Sequence, residues 1–371
     1  MKPQVGILTT YFASNFGAML QPFALKRHLE QLGCDVEMIR YKQENIERFY
    51  NPWKWDAFKT GNPRHMLGYI LSLPITVTKY NNFQRFMLKN INPEKGFCKT
   101  IPADKDFYFI GSDQIWTPKN TNGFDDIYFG EFPTKLGAIK ASYAASAEEI
   151  DYNAETIAYL KNRLENFDYV SVRELKLEND LKEKIGRQDI CTVLDPTMLV
   201  DPTVYTEIEH THPCPGHDFV FLYDIRNCKA FLDKILNHAR AINAKLVIVS
   251  ESPDKWYMRY ARKHKNVIYN PCAGVEYFLG GMKYAKFVYT ASFHGSVFAI
   301  LNHKKFYTLN LRDNRMTRPT HLLQMLGISN RLLALEDEVK DDEIDYNSVE
   351  QRLNEQRDFS RKFVLKVLNK E

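Results

Sequence analysis

Short apolar runs separated by amphipathic segments organise the start of this chain and predict alternating strands and helices. The run at residues 5–9 precedes a segment in which Leu25, Leu29 and Leu32 recur at helical spacing. Gly33 follows at the position where helices commonly end, and another strand-like run comes next. A strand, a helix and a strand in this order predict the beginning of a doubly wound parallel sheet.

The same alternation continues and divides the chain into two halves. Strands are expected at residues 106–110, 140–146 and 169–174, before a stretch at 210–217 that is rich in His, Pro and Gly. A second series of strands and helices begins after this stretch. We therefore expect an α/β protein with an N-terminal Rossmann-like domain over residues 1–210, a C-terminal Rossmann-like domain over 218–345, and a last helix over 346–371 that packs back on the N-terminal domain.

Residues 46–100 interrupt the strand pattern of the first half. This segment holds nine Lys and Arg against three Asp and Glu, a local charge of +6, and many aromatic residues. We interpret it as a basic helical insertion over the cleft of the first domain. One hypothesis makes it a lid or platform that touches an acceptor or a membrane-surface substrate. The other makes it a solvated helix pair with its aromatics in a local core.

Bulk composition narrows the classes of protein. A chain of 371 residues exceeds one ordinary core, and 44% hydrophobic with 26% charged residues is typical of a soluble protein. A net charge of +4 is too small to indicate nucleic acid as a partner.

The six cysteines are scattered without metal-ligand spacing, which predicts reduced thiols and no metal site. With no signal-peptide pattern and no apolar run of spanning length, we expect a cytoplasmic protein.

Candidate chemistry concentrates at residues 290–295, between a strand-like run and a helix-like run that begins at Ser296. A strand that ends at small residues and restarts as a helix leaves backbone N–H groups and a positive dipole for an anion. Ser292 and Gly295 flank His294 there, and an imidazole can act as a general acid near neutral pH. The alternative is a histidine whose ring caps neighbouring backbone groups.

Three arginines are candidates for holding an anionic substrate. Arg173 ends an apolar strand, where it either pairs with Glu174 or another acidic neighbour, or clamps a carboxylate or phosphate. Arg315 and Arg318 lie beyond the anion-binding loop and could reach the same ligand from a second side. Their alternative is an ordinary surface loop.

Two further strand ends in the first half carry polar residues. Ser112, Asp113 and Gln114 follow a predicted strand, and Asp113 either accepts a proton from a hydroxyl or caps the next turn. Asn15 and Gly17 fit a tight loop. Gln21 is placed to face the cleft, and pure turn chemistry is the alternative for this loop. The loop has no GxGxxG spacing and the chain has no GxxxxGK[ST], so neither a dinucleotide fingerprint nor a P-loop is present.

Taken in order, these segments resemble the polysaccharide pyruvyl transferase family over about residues 5–331. The residues that carry the resemblance are Asn15-Phe16-Gly17-Ala18 with Leu20-Gln21, Gly111-Ser112-Asp113-Gln114-Ile115-Trp116, Ser142-Tyr143-Ala144-Ala145-Ser146, Ser171-Val172-Arg173-Glu174, Leu194-Asp195-Pro196-Thr197, Ser292-Phe293-His294-Gly295 and Leu322-Leu323-Gln324-Met325-Leu326-Gly327-Ile328. The resemblance thins out over residues 46–100 and in the C-terminal tail. Many relatives have an acidic residue before the Ser-Phe-His-Gly run, where this chain has Ala291.

The resemblance implies a GT-B-like fold, with two Rossmann-like domains facing a cleft. It implies transfer of the enolpyruvyl-derived unit of phosphoenolpyruvate to hydroxyls of a sugar or oligosaccharide acceptor, leaving a pyruvate ketal and free phosphate. Carried onto this chain, it makes His294 the acid and Arg173 a donor-binding residue. The scheme requires no metal or other cofactor. One hypothesis for the basic insertion is a lipid-linked acceptor, which would bring the protein to a membrane surface.

Two alternatives differ in class from this function. A nucleotide-sugar-dependent glycosyltransferase on the same fold would use the same cleft and helix N-terminus to hold a diphosphate. A non-catalytic sugar-binding module would leave His294 with a structural role only. A requirement for a nucleotide would identify the first, and the absence of turnover would identify the second.

Overall fold

Two parallel six-stranded sheets form the framework of the computed structural model, which describes residues 2–41, 43–53, 62–92, 96–97, 100–148, 150–208, 211–312 and 316–370. The first sheet has the order β2-β1-β3-β4-β5-β6 and the second β12-β11-β10-β7-β8-β9. Strands buried on both faces, with helices between them, produce this parallel arrangement. The predicted α/β fold with two Rossmann-like domains is therefore confirmed.

The strands of the first sheet are β1 (Gln4–Leu8), β2 (Asp35–Met38), β3 (Phe107–Ile110), β4 (Ile139–Ala145), β5 (Tyr169–Val172) and β6 (Cys191–Thr192). Those of the second are β7 (Phe219–Asp224), β8 (Lys245–Ser250), β9 (Val267–Tyr269), β10 (Phe287–Thr290), β11 (Lys305–Leu309) and β12 (Leu332–Leu333). In each sheet the chain first adds strands on one side of its first strand and then crosses to the other side. The switch point therefore lies between the neighbouring strands β1 and β3 in the first sheet, and between β7 and β10 in the second. Such switch points are where open α/β sheets bind ligands.

The helices connect and cover these strands. In chain order they are α1 (Phe16–Gln31), α2 (Glu44–Tyr50), α3 (Pro63–Asn90), α4 (Pro118–Thr121), α5 (Ala154–Leu164), α6 (Leu175–Ile185), α7 (Pro196–Leu199), α8 (Thr203–Thr206), α9 (Leu232–Ala241), α10 (Lys255–Lys263), α11 (Val275–Tyr284), α12 (Phe293–Leu301), α13 (Thr317–Met325) and α14 (Tyr346–Val367). The helix that the Leu25 to Leu32 spacing predicts is α1. Gly33 follows it with a φ of 81°, a backbone conformation that favours glycine.

Among the described residues, the predicted helical insertion contains α2 and the long helix α3. The end of α3 is anchored in the core by Phe83 and Phe86, both fully buried. Asn82 donates a hydrogen bond of 2.7 Å to the carbonyl of Cys272 in the C-terminal half of the chain. Gly274 permits this approach, because a Cβ there would lie 3.0 Å from the Asn82 Cβ. The insertion therefore contacts both halves of the protein.

A continuous apolar core joins the two sheets. The Phe16 ring, at the start of α1, stacks on Phe278 of α11 with centroids 4.7 Å apart. It also meets Tyr223 of β7 edge-on at 5.3 Å. These contacts bring the carboxyl ends of the two sheets towards each other. Within the described residues, no helix has the length and apolar content needed to cross a bilayer.

The terminal helix α14 packs against the end of the first sheet. The Ser360 hydroxyl accepts a hydrogen bond of 2.9 Å from the Leu194 amide. Arg357 donates to the carbonyl of Met198 at 2.9 Å, and Arg361 donates to that of Leu199 at 3.0 Å. Because these acceptors surround residue 195, α14 supports the segment that carries the Asp195 side chain described below.

We expect Leu353→Ala to lower the free energy of unfolding by about 2 to 5 kcal/mol, because a fully buried leucine of α14 would leave a cavity. Glu355→Ala, an exposed position on the same helix, serves as the control and should change stability by less than about 0.5 kcal/mol. Urea denaturation of both variants measures the difference. Equal effects would show that α14 does not stabilise the fold through this face.

Candidate active site

The candidate site lies where the switch points of the two sheets face each other. The loops after β1 and β3 carry Asn15 and Ser112, and the segment after β10 carries His294. Asn15 donates a hydrogen bond of 2.7 Å to Glu251, which follows β8. The polar strand ends of the two halves therefore meet at one place.

His294 belongs to the first turn of α12. Ser292 is the N-cap residue, and the Ser296 amide bonds to its carbonyl at 3.0 Å. The expectation that the helix begins at Ser296 is therefore wrong by three residues. The small side chains of Ser292 and Gly295 allow the helix to begin directly after the strand. The first amides of α12 have no acceptor within the helix, as at any helix N-terminus.

The imidazole of His294 packs on the backbone of Gly17 in the opposing half. A Cβ at Gly17 would lie 2.1 Å from His294 Nδ1, so any other residue would displace the ring. His294 is 8% exposed. Its Nε2 lies 3.4 Å from Asp195 Oδ2 but makes no hydrogen bond to any described residue. The ring therefore presents a buried nitrogen to the Asp195 carboxylate and has no hydrogen-bond partner for that nitrogen among the described residues.

Asp195 is fully buried and is the hub of the site. Its Oδ2 accepts hydrogen bonds from Arg173 at 2.9 Å and from Ser112 at 3.3 Å. Its Oδ1 accepts from the Thr197 hydroxyl at 2.6 Å and the Thr197 amide at 3.0 Å. Burial acts to raise the pKa of Asp195, but the charges of His294 and Arg173 outweigh it and hold the pKa well below the usual value. Asp195 is thus a carboxylate at neutral pH.

Arg173 is buried and bonded on three sides. Its guanidinium donates to Glu174 Oε1 at 3.0 Å, to Asp195 Oδ2 at 2.9 Å and to the Ser146 hydroxyl at 2.9 Å. It also lies over the Phe293 ring at 5.0 Å. Burial opposes its charge, but the neighbouring carboxylates raise its pKa above the ordinary value. Of the two alternatives for Arg173, the structure shows the pairing with acidic neighbours, and its contact with a donor substrate stays a prediction.

The three candidate residues of the loop after β3, which are Ser112, Asp113 and Gln114, differ in their contacts. The Ser112 hydroxyl donates to the Ala144 carbonyl at 3.1 Å as well as contacting Asp195. Asp113 has a φ of 71° and places Oδ1 3.9 Å from Arg173, and no helix N-terminus is capped by its side chain among the described elements. Gln114 turns to Asn120, whose amide donates to it at 3.1 Å. Catalysis by Asp113 and binding by Ser112 and Gln114 stay predictions.

Gln21 does not face the cleft, which corrects the expectation from the sequence. It is fully buried, and its amide donates to the Thr9 hydroxyl at 2.8 Å while its oxygen accepts from the Ser112 amide at 3.3 Å. One turn into α1, the side chain points back at its own sheet. Through these two hydrogen bonds, Gln21 links Thr9 to Ser112 and supports the loop after β3.

Asn15 and Gly295 have clear structural partners. Asn15 caps α1 by accepting from the Ala18 amide at 3.2 Å. Gly295 brings α12 against its own strand, since a Cβ there would lie 2.2 Å from the Thr290 hydroxyl. This contact, more than approach of a ligand, requires glycine at that position.

Arg318 belongs to the first turn of α13. Arg318 forms an ion pair with Glu148 of the N-terminal half, and its Nε is buried without a partner among the described residues. The pair links the two halves next to the candidate site. Arg315 lies outside the described residues, and its role stays a prediction.

A small cavity lies between these groups. It encloses about 30 Å³ and is lined by residues that include Arg173, Glu174, Asp195, Phe293, Arg318 and His321. This volume accommodates water, which needs at least about 10 to 15 Å³, but not a phosphorylated three-carbon acid.

Four residues at or beside the site were not predicted as site residues. Asp195 stands within a motif quoted for the resemblance but was assigned no role, and Glu174 was named only as a possible partner of Arg173. Lys79 and Glu251 had no local signal at all. The Lys79 ammonium is buried, donates to the Ser250 carbonyl at 2.7 Å and lies 5.5 Å over the Phe16 ring. Burial lowers the pKa of Lys79 to about 8, against the opposing charge of Glu251.

The cysteines and other metal-binding side chains form no additional centre in the part of the chain that the structure describes. Cys34, Cys191, Cys214, Cys228 and Cys272 are free thiols. No three His, Cys, Asp or Glu side chains of the described ranges are grouped so that they could hold a metal ion.

We expect Asp195→Asn to lower the free energy of unfolding at pH 7 by about 3 to 5 kcal/mol, because it breaks a buried ion pair. The pKa of Asp195 is lower in the folded protein than its ordinary value of 3.8. Its stabilisation is therefore complete above that value and is lost as the pH falls below it. Urea titrations at pH 7, 5, 4 and 3 should show the difference from wild type narrowing at the acid end.

Asp218→Asn is the matched control, since Asp218 forms an exposed ion pair with Lys286, and such pairs contribute at most about 1 kcal/mol. A difference for Asp195→Asn that stays constant down to pH 3 would contradict a carboxylate that is ionised in the folded protein.

Comparison with known proteins finds a family that the chain matches. Residues 15–314 match the family described as polysaccharide pyruvyl transferase. No curated protein matches the chain.

Solved structures resemble the chain over most of its length. UDP-GlcNAc 2-epimerase from Neisseria meningitidis, bound to UDP-GlcNAc, is 12% identical with a TM-score of 0.49, covering 100% of both chains. The Methanocaldococcus jannaschii UDP-GlcNAc 2-epimerase is 13% identical with a TM-score of 0.47, covering 95% of this chain and 92% of its own. The E. coli heptosyltransferase WaaC with ADP is 12% identical with a TM-score of 0.43, covering 95% and 99%. At these values the similarity carries no information on chemistry.

The family match extends over most of the chain and includes the strand ends that form the site, from Asn15 through Asp195 to His294. The resemblance of the sequence motifs is therefore confirmed, and the chain belongs to the polysaccharide pyruvyl transferase family, a family of transferases.

Proposed function

We propose that this protein transfers the enolpyruvyl-derived unit of phosphoenolpyruvate to hydroxyls of a sugar acceptor, forming a pyruvate ketal and releasing phosphate. The observation that carries the proposal is His294 Nε2. It lies in the first turn of a helix, 3.4 Å from the Asp195 carboxylate, with no hydrogen-bond partner among the described residues. Family membership supports the transferase class, and this nitrogen supplies the acid that the reaction needs.

The donor is a small molecule with a carboxylate and a phosphate, and the site offers cations and N–H groups for both. The amides at the start of α12, around Ser292 and Gly295, are suited to the phosphate. Arg318 retains a buried, unpartnered Nε, and we assign it to the second anionic group, with Arg315 as its neighbour in sequence. Arg173 already bonds three protein groups and contributes chiefly its charge.

In the proposed reaction, His294 Nε2 donates a proton to the methylene carbon of phosphoenolpyruvate. Asp195 fixes the imidazolium by its negative charge, and Gly17 fixes the ring by contact. The cationic carbon that results is captured by an acceptor hydroxyl. Phosphate then leaves and a second hydroxyl closes the ketal. Placing the acid and its counter-charge before the reaction begins is the electrostatic contribution of the protein.

We also propose that the acceptor is presented at a membrane surface, as a lipid-linked sugar would be, with the protein on the cytoplasmic side. Leu67, Ile70 and Leu71 occupy one face of α3 and are 58%, 49% and 66% exposed. In the sequence just before them stand Lys54, Lys59 and Arg64. An apolar helix face, in a segment whose sequence is basic, suits an anionic lipid surface.

We expect His294→Ala to reduce acceptor-dependent phosphate release from phosphoenolpyruvate by about 10² to 10⁴ fold, the contribution typical of a general acid. The assay follows inorganic phosphate with galactosyl, mannosyl and glucosyl acceptors. His217→Ala, at an exposed position, should retain the wild-type rate. No release by wild type with any acceptor, together with thermal stabilisation by a nucleotide diphosphate sugar, would favour glycosyl transfer instead.

We expect the double variant Leu67→Ser and Leu71→Ser to lose binding to phosphatidylglycerol-containing vesicles at least tenfold, because the apolar contact is removed. Sedimentation with these vesicles and with pure phosphatidylcholine vesicles measures the effect. Leu136→Ser removes a fully exposed leucine elsewhere and should bind like wild type. Equal binding of all three proteins, or a change in oligomeric state instead, would exclude this face as a membrane contact.

A further inference from the structure

Glu174 has one carboxylate oxygen that is fully used and one that is not. Its Oε1 accepts hydrogen bonds from Arg173 at 3.0 Å and from the Ser146 hydroxyl at 2.7 Å. Its Oε2 is buried and has no donor among the described residues. Although Glu174 is the N-cap residue of α6, its side chain does not bond to that helix. A buried, unpaired carboxylate oxygen is costly, which indicates that a ligand supplies the missing donor.

A groove of about 430 Å³ leads to this residue from outside. One wall is the start of α6, with Glu174 and Lys176, and the other is α13, with Thr320, His321 and Gln324. Glu174 and His321 line both this groove and the small inner cavity that Asp195 lines. The volume falls within the range of small-molecule sites. Glu174 therefore stands where the groove meets the cavity that Asp195 lines, and Asp195 in turn lies 3.4 Å from His294.

We propose that this groove binds the acceptor sugar and that Glu174 Oε2 receives the hydrogen bond, and then the proton, of the attacking hydroxyl. The inference rests on the proposed function and deepens it. A free carboxylate oxygen repels an anion and accepts only from a donor, so the ligand that fits is a neutral polyhydroxylated ring. The hydroxyl, amide and imidazole groups of the opposite wall can exchange hydrogen bonds with such a ring.

Glu174 fits this role better than Asp113, the carboxylate expected from the sequence. The Asp113 side chain is 21% exposed, and it lines neither the groove nor the cavity. Asp113 also lies 3.9 Å from Arg173, beyond hydrogen-bond distance. Glu174, by contrast, is held in position through its other oxygen, so that the free oxygen is already oriented.

The step balances in atoms and electrons. The electron pair of the donor's carbon–carbon double bond takes the proton from His294 Nε2, which produces the methyl group. The hydroxyl oxygen forms a bond to the central carbon and its proton passes to Glu174. The carbon–oxygen bond to phosphate then breaks, with both electrons leaving on phosphate, and a second hydroxyl of the same sugar forms the last bond. The proton of the second hydroxyl leaves on phosphate, and the proton held by Glu174 returns to His294 before the next turnover. In total, the two hydroxyl protons are recovered in the methyl group and on phosphate.

The test is Glu174→Gln, which keeps an oxygen for Arg173 and Ser146 and replaces only the acceptor oxygen by a donor. With p-nitrophenyl galactoside, mannoside and glucoside as acceptors, we expect phosphate release to fall by about 10² to 10⁴ fold. Calorimetric affinity for phosphoenolpyruvate should change less than twofold. The melting temperature should fall, because the substitution removes one charge from the buried ion pair with Arg173, so both measurements are made well below the melting temperature of the variant. Gln324→Ala should raise the KM of the acceptor and leave the KM of phosphoenolpyruvate unchanged.

Glu178→Gln is the matched control, because Glu178 lies one turn later on α6 and bonds to Lys182 and Thr192. It should behave like wild type. A Glu174→Gln protein with wild-type turnover would overturn this inference and leave the proposed function standing. Joint loss of phosphoenolpyruvate affinity and turnover would also overturn it, since Glu174 would then only support Arg173. A wild type inactive with every sugar would overturn both proposals.

Discussion

The buried carboxylate of Asp195 is the constraint on which the site depends. Removing a carboxylate from water costs several kcal/mol unless charges and hydrogen bonds offset it. Here the compensation comes from Arg173, Ser112 and Thr197 on its own side and from His294 on the other. Bringing the two Rossmann-like domains together is therefore coupled to completing this charge cluster, and the histidine acquires its counter-charge only in that arrangement.

The position before the Ser-Phe-His-Gly run holds Ala291, which carries no charge. Ala291 is fully buried at the end of β10, where a carboxylate would need its own compensating partners. The negative charge beside His294 is instead supplied from the opposing domain by Asp195. A carboxylate on one domain and an imidazole on the other make the site a property of the interface.

Much of this organisation could be predicted from the sequence, because strand ends in a parallel sheet are local features. The runs before Asn15, Ser112, Arg173 and His294 identify four strands, and the carboxyl ends of parallel strands share one edge of a sheet. Side-chain direction could not be predicted in the same way. Gln21 stands at the right place in the chain, but its position one turn into α1 directs it towards Thr9 and Ser112.

Contacts between residues far apart in the chain could not be predicted from the sequence either. Lys79 approaches the site only because α3 runs back over the second sheet, where its ammonium reaches the Ser250 carbonyl. Glu251 depends on the same crossing, through Asn15. No spacing or motif near these residues signals their positions, since each is set by packing of segments more than 150 residues apart.

Arg173 explains how two carboxylates can share so small a buried region. Asp195 and Glu174 would repel each other if both were ionised and unshielded. The guanidinium lies between them, bonded to both, and remains charged at any relevant pH. Because the Arg173 guanidinium stays protonated, it does not transfer a proton between the two carboxylates. On one side of it Asp195 lies beside His294, and on the other Glu174 lines the groove. A lysine there would neutralise one charge but could not span both carboxylates and Ser146 in one plane. The planar guanidinium of Arg173 therefore allows the two carboxylates to have different roles, Asp195 beside the acid and Glu174 beside the groove.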